Sequence, residues 1–285
     1  MTIKHLFVPL SNLTAMSSCL DSALLVAKFF RAHADILYAK GSTQSALGTV
    51  ALADSQLVQE YADRIEKEQK RGEKLARHKF DDLLLQHRLD YRENSLPAEL
   101  PSAYWRTVES TAVEEIAQHG SAYDLIVVAR ADASNAARPM VEAALFGTGC
   151  PVLVAPPKPP KAICEHVVIG WNRGVPAAHA VRYAMPFLEI AARVEIFSVA
   201  TGSKKGASAQ EIARYLAWHG TRAEINCASP DQRSVGETLL SKARESGADL
   251  LVLGAFSQSR IRRLVLGGVT DYVLRYAEIP VLMAH

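Results

Sequence analysis

The stretch Leu250–Thr270 decides how this chain folds. It reads Leu-Leu-Val-Leu-Gly over residues 250–254, continues as Ala-Phe-Ser-Gln-Ser-Arg-Ile-Arg-Arg-Leu-Val-Leu, and closes as Gly-Gly-Val-Thr over residues 267–270. A short run of branched apolar residues that stops at a glycine is typical of a buried parallel strand. The glycine pair and the apolar spacing that follows it indicate the start of a helix. The stretch therefore predicts a strand, a loop and a helix N-terminus, in that order.

This arrangement has two interpretations. A helix N-terminus offers unpaired backbone N–H groups and the positive end of the helix dipole, and glycines allow a phosphate to approach them closely. The alternative is a tight strand-to-helix turn that binds no ligand. The stretch alone leaves both interpretations open.

The composition is that of a soluble globular protein. The 285 residues are enough for one large domain or two ordinary ones, and 49% of them are hydrophobic while 22% are charged. A net charge of +2 is too small to indicate a nucleic-acid or membrane partner. No apolar run is long enough to span a bilayer, and the first residues resemble a strand rather than a signal peptide. We therefore expect a cytoplasmic location.

The residues that usually carry catalysis or bind metals form no recognisable motif. Cys19, Cys150, Cys164 and Cys227 lack zinc-type spacing, so we expect free thiols. The nine histidines are scattered, and their spacing predicts no metal site. There is no Gly-x-Ser-x-Gly elbow, and no motif places two carboxylates at the sheet's carboxyl end. We therefore expect a protein that is not an enzyme.

Apolar periodicity along the chain predicts alternating strands and helices. Strands are predicted at Ile3–Leu10, Ala34–Ala39, Ala103–Val108, Tyr123–Ala129, Pro151–Ala155, His166–Trp171, Arg193–Val199, Ala223–Cys227, Asp249–Leu253 and Ile279–Met283. Helices are predicted at Ala15–Arg31, Asp54–Gln86, Glu109–His119, Met140–Phe146, Gly174–Glu189, Ser208–His219, Ser234–Glu245 and Gly267–Tyr276. The segment Arg88–Pro101 is predicted to be a loop.

Two of these helices carry more specific expectations. The helix Asp54–Gln86 has an apolar stripe that includes Leu75 and a charged centre, which we expect either to protrude into solvent or to bend at Gly72. The helix Gly174–Glu189 is expected to place Val175 on its apolar face.

The second half of the chain repeats the first. Tyr123–Ala129 matches Ala248–Gly254, and residues 150–155 match residues 279–284. The proline-rich segment Pro156–Pro160 is stiff and separates the copies. We predict a domain over residues 1–156 and a second over residues 162–285. Alternating strands and helices imply parallel sheets whose ligands bind where the strand order reverses.

The duplicated pattern, the Gly254 loop and the Ile-Pro-Val-Leu ending resemble the universal stress protein family, as a tandem two-domain member. The resemblance implies an α/β fold of two Rossmann-like (adenine nucleotide alpha hydrolase-like) domains. Each would be a five-stranded parallel sheet with helices on both faces.

The resemblance also implies where a nucleotide would bind. Members that bind ATP carry a loop of the form G-x2-G-x9-G-[S/T], which here corresponds to Gly254, Ser257, Gly267 and Gly268, with serine in place of the second glycine and Gly268 in place of the hydroxyl residue. Thr270, two positions later, could supply the hydroxyl. The family's aspartate after the first strand corresponds to Asn172, and its adenine contact lies near Val199. The candidate nucleotide-binding residues are Asn172, Val199, Gly254, Ser257, Gly267, Gly268, Val269 and Thr270.

The first half departs from this pattern. Its loop, Ala129–Pro139, contains no glycine, and Pro139 stands where the second half has Gly268. We interpret this half as a structural copy that pairs with the second half as a built-in dimer. Dimers of the family commonly pair through their last strands, which are Pro151–Ala155 and Ile279–Met283 here.

The expected function is that of a stress-response protein that binds ATP or AMP in its C-terminal domain, with occupancy of the site altering the binding of an unidentified protein partner. Two alternatives stay open: a nucleotide-free structural or interaction protein, and a weak ATPase. The chain could also form a homodimer. No nucleic-acid or membrane partner is expected.

Overall fold

A computed structural model describes residues 2–11, 16–40, 55–93, 99–130, 137–199, 206–228, 233–256 and 268–285. The strands are β1 His5–Leu10, β2 His33–Ala39, β3 Asp90–Tyr91, β4 Ser102–Val108, β5 Leu125–Ala129, β6 Val152–Ala155, β7 His166–Gly170, β8 Arg193–Val199, β9 Ala223–Ala228, β10 Leu250–Gly254 and β11 Val281–Ala284. The helices are α1 Met16–Phe30, α2 Ser55–His87, α3 Ala112–His119, α4 Ala137–Gly147, α5 Val175–Leu188, α6 Ala209–Trp218, α7 Val235–Glu245 and α8 Val269–Tyr276.

All these strands lie in one continuous sheet, in the order β3-β4-β2-β1-β5-β6-β11-β10-β7-β8-β9. Within each half the pairing is parallel, as predicted. In the second half the chain moves outward from β7 to β8 and β9, then returns to β10 and β11 on the other side of β7. The strand order therefore reverses between β7 and β10, which is where ligands bind in open α/β sheets.

The two halves meet at a seam formed by β6 and β11. These strands are antiparallel, with Val281 opposite Val154 and Met283 opposite Val152. The predicted pairing through the last strand of each half is thus confirmed. Beside the seam, Arg138 of α4 forms an ion pair with Asp271 of α8 at 2.9 Å.

Helices cover both faces of the sheet, as predicted. Alternate residues of a strand point to opposite faces, so Leu6 and Val8 belong to one hydrophobic cluster while Phe7 belongs to the other. Each cluster contains residues from both halves of the chain. None of the helices within the described ranges is both long enough and apolar enough to cross a membrane.

Three expectations about the elements need correction. The predicted loop Arg88–Pro101 contains the short strand β3, because the end of α2 brings Asp90–Tyr91 alongside β4. The first half therefore has a small sixth strand at its outer edge. Leu75 and Val175 are more than half exposed rather than buried, because each lies just outside the contact face of its helix.

The long helix α2 is continuous through Gly72 and spans 33 residues, about 50 Å at 1.5 Å per residue. Of the two alternatives for its charged centre, exposure is the one observed, since residues 66–68 are exposed. The helix packs against the domain from the buried Gly72 onward, through Ala76 and Phe80.

Candidate functional site

Three candidate residues meet at the carboxyl edge of the second half because their strands are neighbours in register. Gly170 of β7 lies opposite Leu253 of β10 on one side and Phe197 of β8 on the other. Gly254 follows Leu253 by one residue, and Asn172 and Val199 follow Gly170 and Phe197 by two residues each. The structure therefore brings them to the point where the strand order reverses.

Gly254 is required by packing. A Cβ atom built on this residue would lie 2.2 Å from the backbone nitrogen of Ala177 and 2.5 Å from the carbonyl carbon of Pro176. The end of β10 thus contacts the first turn of α5 backbone to backbone. This contact fixes the distance between the segment that joins β7 to α5 and the segment that follows β10.

Gly268 is in a different situation. It precedes α8 with an extended backbone (φ −74°, ψ 175°), its side-chain position faces open space, and no side chain caps the helix. It is exposed, and Val269 behind it is half-buried. The first turn of α8 therefore presents backbone N–H groups at an accessible surface, which is the arrangement that anions favour.

Thr270 closes the base of the connection between β10 and α8. Its Oγ1 accepts a hydrogen bond from the backbone N–H of Phe256 at 3.2 Å, and the residue is buried. The hydroxyl predicted to face a phosphate thus holds the two ends of the loop together.

Asn172 and its neighbour Trp171 support the connection between β7 and α5. The Asn172 Oδ1 accepts a hydrogen bond from the Gly174 N–H at 2.9 Å, which orders the entry to the helix. Trp171 is buried and donates its indole N–H to the carbonyl of Ala207 at 2.9 Å. This geometry fits a side chain that closes the end of the strand better than one that stacks on a base.

The remaining candidates divide into two groups. Val199 is half-buried and is the last residue of β8. Ser257 and Gly267 lie outside the described residues, so their predicted role stays a prediction.

The corresponding connection of the first half contacts the second half. Arg130, just after β5, donates a hydrogen bond to the carbonyl of Arg275 in α8. Pro139 lies in the first turn of α4, and the neighbouring Arg138 contacts Asp271 at the start of α8. These contacts support the interpretation of the first half as a structural copy.

A second group of polar residues, at the amino edge of the first half, is missed by sequence motifs. His5 and His33 begin neighbouring strands and lie directly opposite each other, and both contact the carboxylate of Asp35. Motif spacing could not reveal this group, because the two histidines are 28 positions apart. The sequence did contain one indication that they meet, since each histidine begins one of two consecutive parallel strands.

The electrostatics of this group centre on Asp35. Burial opposes ionisation of its carboxyl, but hydrogen bonds from His33, His5 and Tyr123 outweigh burial and hold its pKa well below the usual range. Burial and the nearby Asp35 charge raise the pKa of the Tyr123 phenol. The group therefore presents a carboxylate anion beside a neutral phenol.

Comparison with known proteins agrees with the fold and with a family resemblance in the second half of the chain. The model of the Universal stress protein family matches residues 223–285. Universal stress proteins of Mycobacterium tuberculosis and Mycobacterium bovis are each 36% identical over 75 residues, which is 26% of this chain and 26% of the relative. The matched segment thus spans about a quarter of those relatives' length.

Solved structures show the same fold over the whole chain. A universal stress protein from Archaeoglobus fulgidus superposes with a TM-score of 0.70 at 14% identity, over 99% of this chain and 96% of that one. A putative universal stress protein from Pseudomonas aeruginosa gives a TM-score of 0.56 at 16% identity, over 99% and 93% of the two chains. At such identities the likeness concerns the fold.

Fold and site together define a tandem α/β protein with a Rossmann-type strand order, whose second half reverses that order between β7 and β10. Within it, residues 223–285 match the model of the Universal stress protein family. The resemblance predicted from the sequence is thus confirmed.

Proposed function

We propose that the second half of this chain binds an adenine nucleotide, ATP or AMP, between the connections that follow β7 and β10. The observation that carries the proposal is the register that brings Asn172, Val199 and Gly254 to the reversal point of the strand order. The phosphates would lie at the exposed start of α8, beside Gly268.

The proposal gives the residues of this site separate roles. The backbone of Gly268 and Val269 would supply N–H groups to the phosphates, whereas Thr270 and Gly254 hold the connection in place. Asn172 would contact the ribose, since an amide can donate and accept hydrogen bonds. The half-buried Val199 would border the adenine.

The proposal includes a consequence for partners. Asp271 in the first turn of α8 is paired with Arg138 of the first half, so a ligand at the start of α8 lies close to the seam. We propose that occupancy changes the binding of a protein partner at this surface, in a non-catalytic, cytoplasmic protein.

Titration of the full chain, free of affinity tags, with ATP and with AMP in a calorimeter tests the proposal. We expect saturable binding, and we expect Gly268→Leu to weaken it at least tenfold because the side chain would cover the helix start. Gly147→Leu is the matched control, since its side-chain position also faces open space but lies at the end of α4. No heat with either nucleotide at millimolar concentration, or unchanged binding by Gly268→Leu, would refute the proposal.

The nucleotide-free alternative is favoured by one observation, namely that the Oδ1 of Asn172 and the hydroxyl of Thr270 already accept hydrogen bonds from the protein. Mass spectrometry of protein purified without added ligand distinguishes the two functions. A co-purifying adenine nucleotide supports the proposal. Release of ADP from ATP above the level of Gly268→Leu would instead indicate a weak ATPase.

A further inference from the structure

The amino edge of the first half holds three metal-ligating side chains on two neighbouring strands. His5 of β1 and His33 of β2 are direct partners in the parallel register. Asp35 follows His33 by two residues and therefore projects from the same face of the sheet. The register of β1 and β2 therefore brings these three side chains together.

The distances bring the three side chains around one point. Nε2 of His5 lies 3.1 Å from Oδ2 of Asp35, and Nε2 of His33 lies 3.2 Å from Oδ1. One ligand atom from each residue lies within 4.8 Å of the other two. We propose that His5, His33 and Asp35 bind a divalent transition-metal ion, for which Zn²⁺ is the best match.

The donor set selects this class of metal. Two imidazole nitrogens and one carboxylate oxygen suit zinc and its neighbours, whereas magnesium and calcium prefer oxygen ligands alone. Ligands of a tetrahedral zinc ion at 2.0–2.1 Å are about 3.3 Å apart. The two nitrogen–oxygen distances given above, one to each oxygen of Asp35, are close to that separation.

Two further residues form hydrogen bonds with the proposed ligands and so fix their orientation. Nδ1 of His33 is 2.8 Å from Oγ of Ser102, and the Tyr123 hydroxyl donates a hydrogen bond to Oδ2 of Asp35 at 2.8 Å. Partners of this kind fix the ring orientation and the basicity of metal ligands. His33 is buried, whereas the side chain of His5 is 37% exposed, so an ion can enter from the side of His5 and keep a water as its fourth ligand.

The duplicated half provides an internal comparison. There, Glu195 occupies the register position that corresponds to Asp35, and Arg193 corresponds to His33. Lys242 lies 3.1 Å and Arg193 3.7 Å from the Glu195 carboxylate. The second half thus supplies permanent cations to its buried carboxylate.

In the first half, both ion-pair partners of Asp35 within the described ranges are histidines. Neutral histidines ligate a metal, whereas lysine and arginine remain charged at neutral pH and do not. A bound Zn²⁺ would therefore supply the positive charge that the other copy obtains from Lys242 and Arg193.

Titration of the tag-free full chain with ZnCl₂ in a calorimeter, with metal content measured by mass spectrometry, tests the proposal. We expect one Zn²⁺ per chain, a higher Tm in the presence of zinc, and at least tenfold weaker binding by His33→Gln and Asp35→Asn. CoCl₂ should give visible absorption bands with the wild-type chain, and His33→Gln should lose them.

Two controls separate this site from other histidines. His166→Gln changes the residue that corresponds to His5 in the second half, and His78→Gln changes an exposed histidine of α2; both should bind zinc like the wild type. Circular dichroism verifies folding, and the more exposed His5→Gln decides the outcome if the other two variants do not fold. Absence of saturable zinc binding, or equal binding by the wild type and the folded site variants, would overturn the proposal.

Discussion

Gly254 and Gly268 are glycines for different physical reasons, although both belong to the same loop motif. A side chain at Gly254 would collide with the backbone of α5, which cannot move aside without shifting the helix. A side chain at Gly268 would meet nothing within 4 Å. Packing therefore requires a glycine at position 254 but not at position 268, where a ligand could approach the backbone.

This difference predicts opposite results for two alanine substitutions. Gly254→Ala should lower the free energy of unfolding by about 1–3 kcal/mol, the usual cost of overpacking. Gly268→Ala should change it by only a few tenths of a kcal/mol, since alanine is a poorer N-cap than glycine but meets no steric conflict. Urea unfolding of both variants measures this, and equal midpoints would contradict a close contact between Gly254 and the first turn of α5.

The four cysteines predict a simple pattern of thiol reactivity. Cys227 is exposed, whereas Cys19, Cys150 and Cys164 are buried. Burial raises the pKa of Cys19 to about 12 and also raises the pKa of the other two buried thiols. Because the thiolate is the reactive form, one thiol should react rapidly with a disulfide reagent at pH 8 in the folded protein.

Denatured protein should show all four thiols, and Cys227→Ser should remove the rapid phase. Rapid reaction of more than one thiol under native conditions would contradict the burial of the other three.

Among the elements, α7 and β8 are joined through a buried charge. Glu195 is fully buried, and its oxygens make no hydrogen bond within the described ranges, although Lys242 lies at ion-pair distance. Arg193 and His166 lie 3.7 and 3.8 Å away. The Glu195 carboxylate thus depends on its attraction to the positive charges of Lys242 and Arg193.

Lys242→Met should therefore destabilise the protein by about 1–3 kcal/mol. The expected loss is smaller than the 3–5 kcal/mol for a fully buried pair, because Lys242 is partly exposed and the Arg193 guanidinium remains 3.7 Å from the carboxylate. The double variant Glu195→Gln, Lys242→Met should recover part of the loss in urea unfolding, since it removes the unpaired charge. A double variant less stable than Lys242→Met would show that Glu195 stabilises the protein through something other than its ion pair with Lys242.

Elements were predictable from sequence where a periodic pattern coincided with burial. The strand Arg193–Val199 has the predicted bounds, and the helix predicted from Ser234 begins at Val235, with the Ser234 hydroxyl accepting a capping hydrogen bond from the N–H of Glu237. The strand β3 was not predictable, because two exposed residues carry no periodicity and pair only through the approach of α2. The hydrogen bond of Thr270 to Phe256 and the meeting of His5 with His33 depend on tertiary geometry, which no local pattern encodes.

At the scale of the whole molecule, the two halves share their cores as well as their sheet. Leu6 and Val167 belong to one hydrophobic cluster, and Phe7 and Val168 belong to the other. A chain with a continuous core is expected to unfold cooperatively.

Two buried tryptophans test this, since Trp105 lies in the first half and Trp171 in the second. In a Trp218→Phe background, Trp171→Phe leaves Trp105 as the reporter, and Trp105→Phe leaves Trp171. After correction for any stability difference measured by circular dichroism, both reporters should give the same urea midpoint. Two separate midpoints would show that the halves unfold independently.

The antiparallel seam between β6 and β11 has one more consequence. In a symmetric dimer of identical chains, every substitution appears twice and must be tolerated on both sides of the interface. Here the two sides are different segments of one chain, so a substitution appears once, and dilution cannot separate the halves. One copy can therefore keep a glycine loop while the other acquires histidines at its opposite edge, without loss of the assembly that both require.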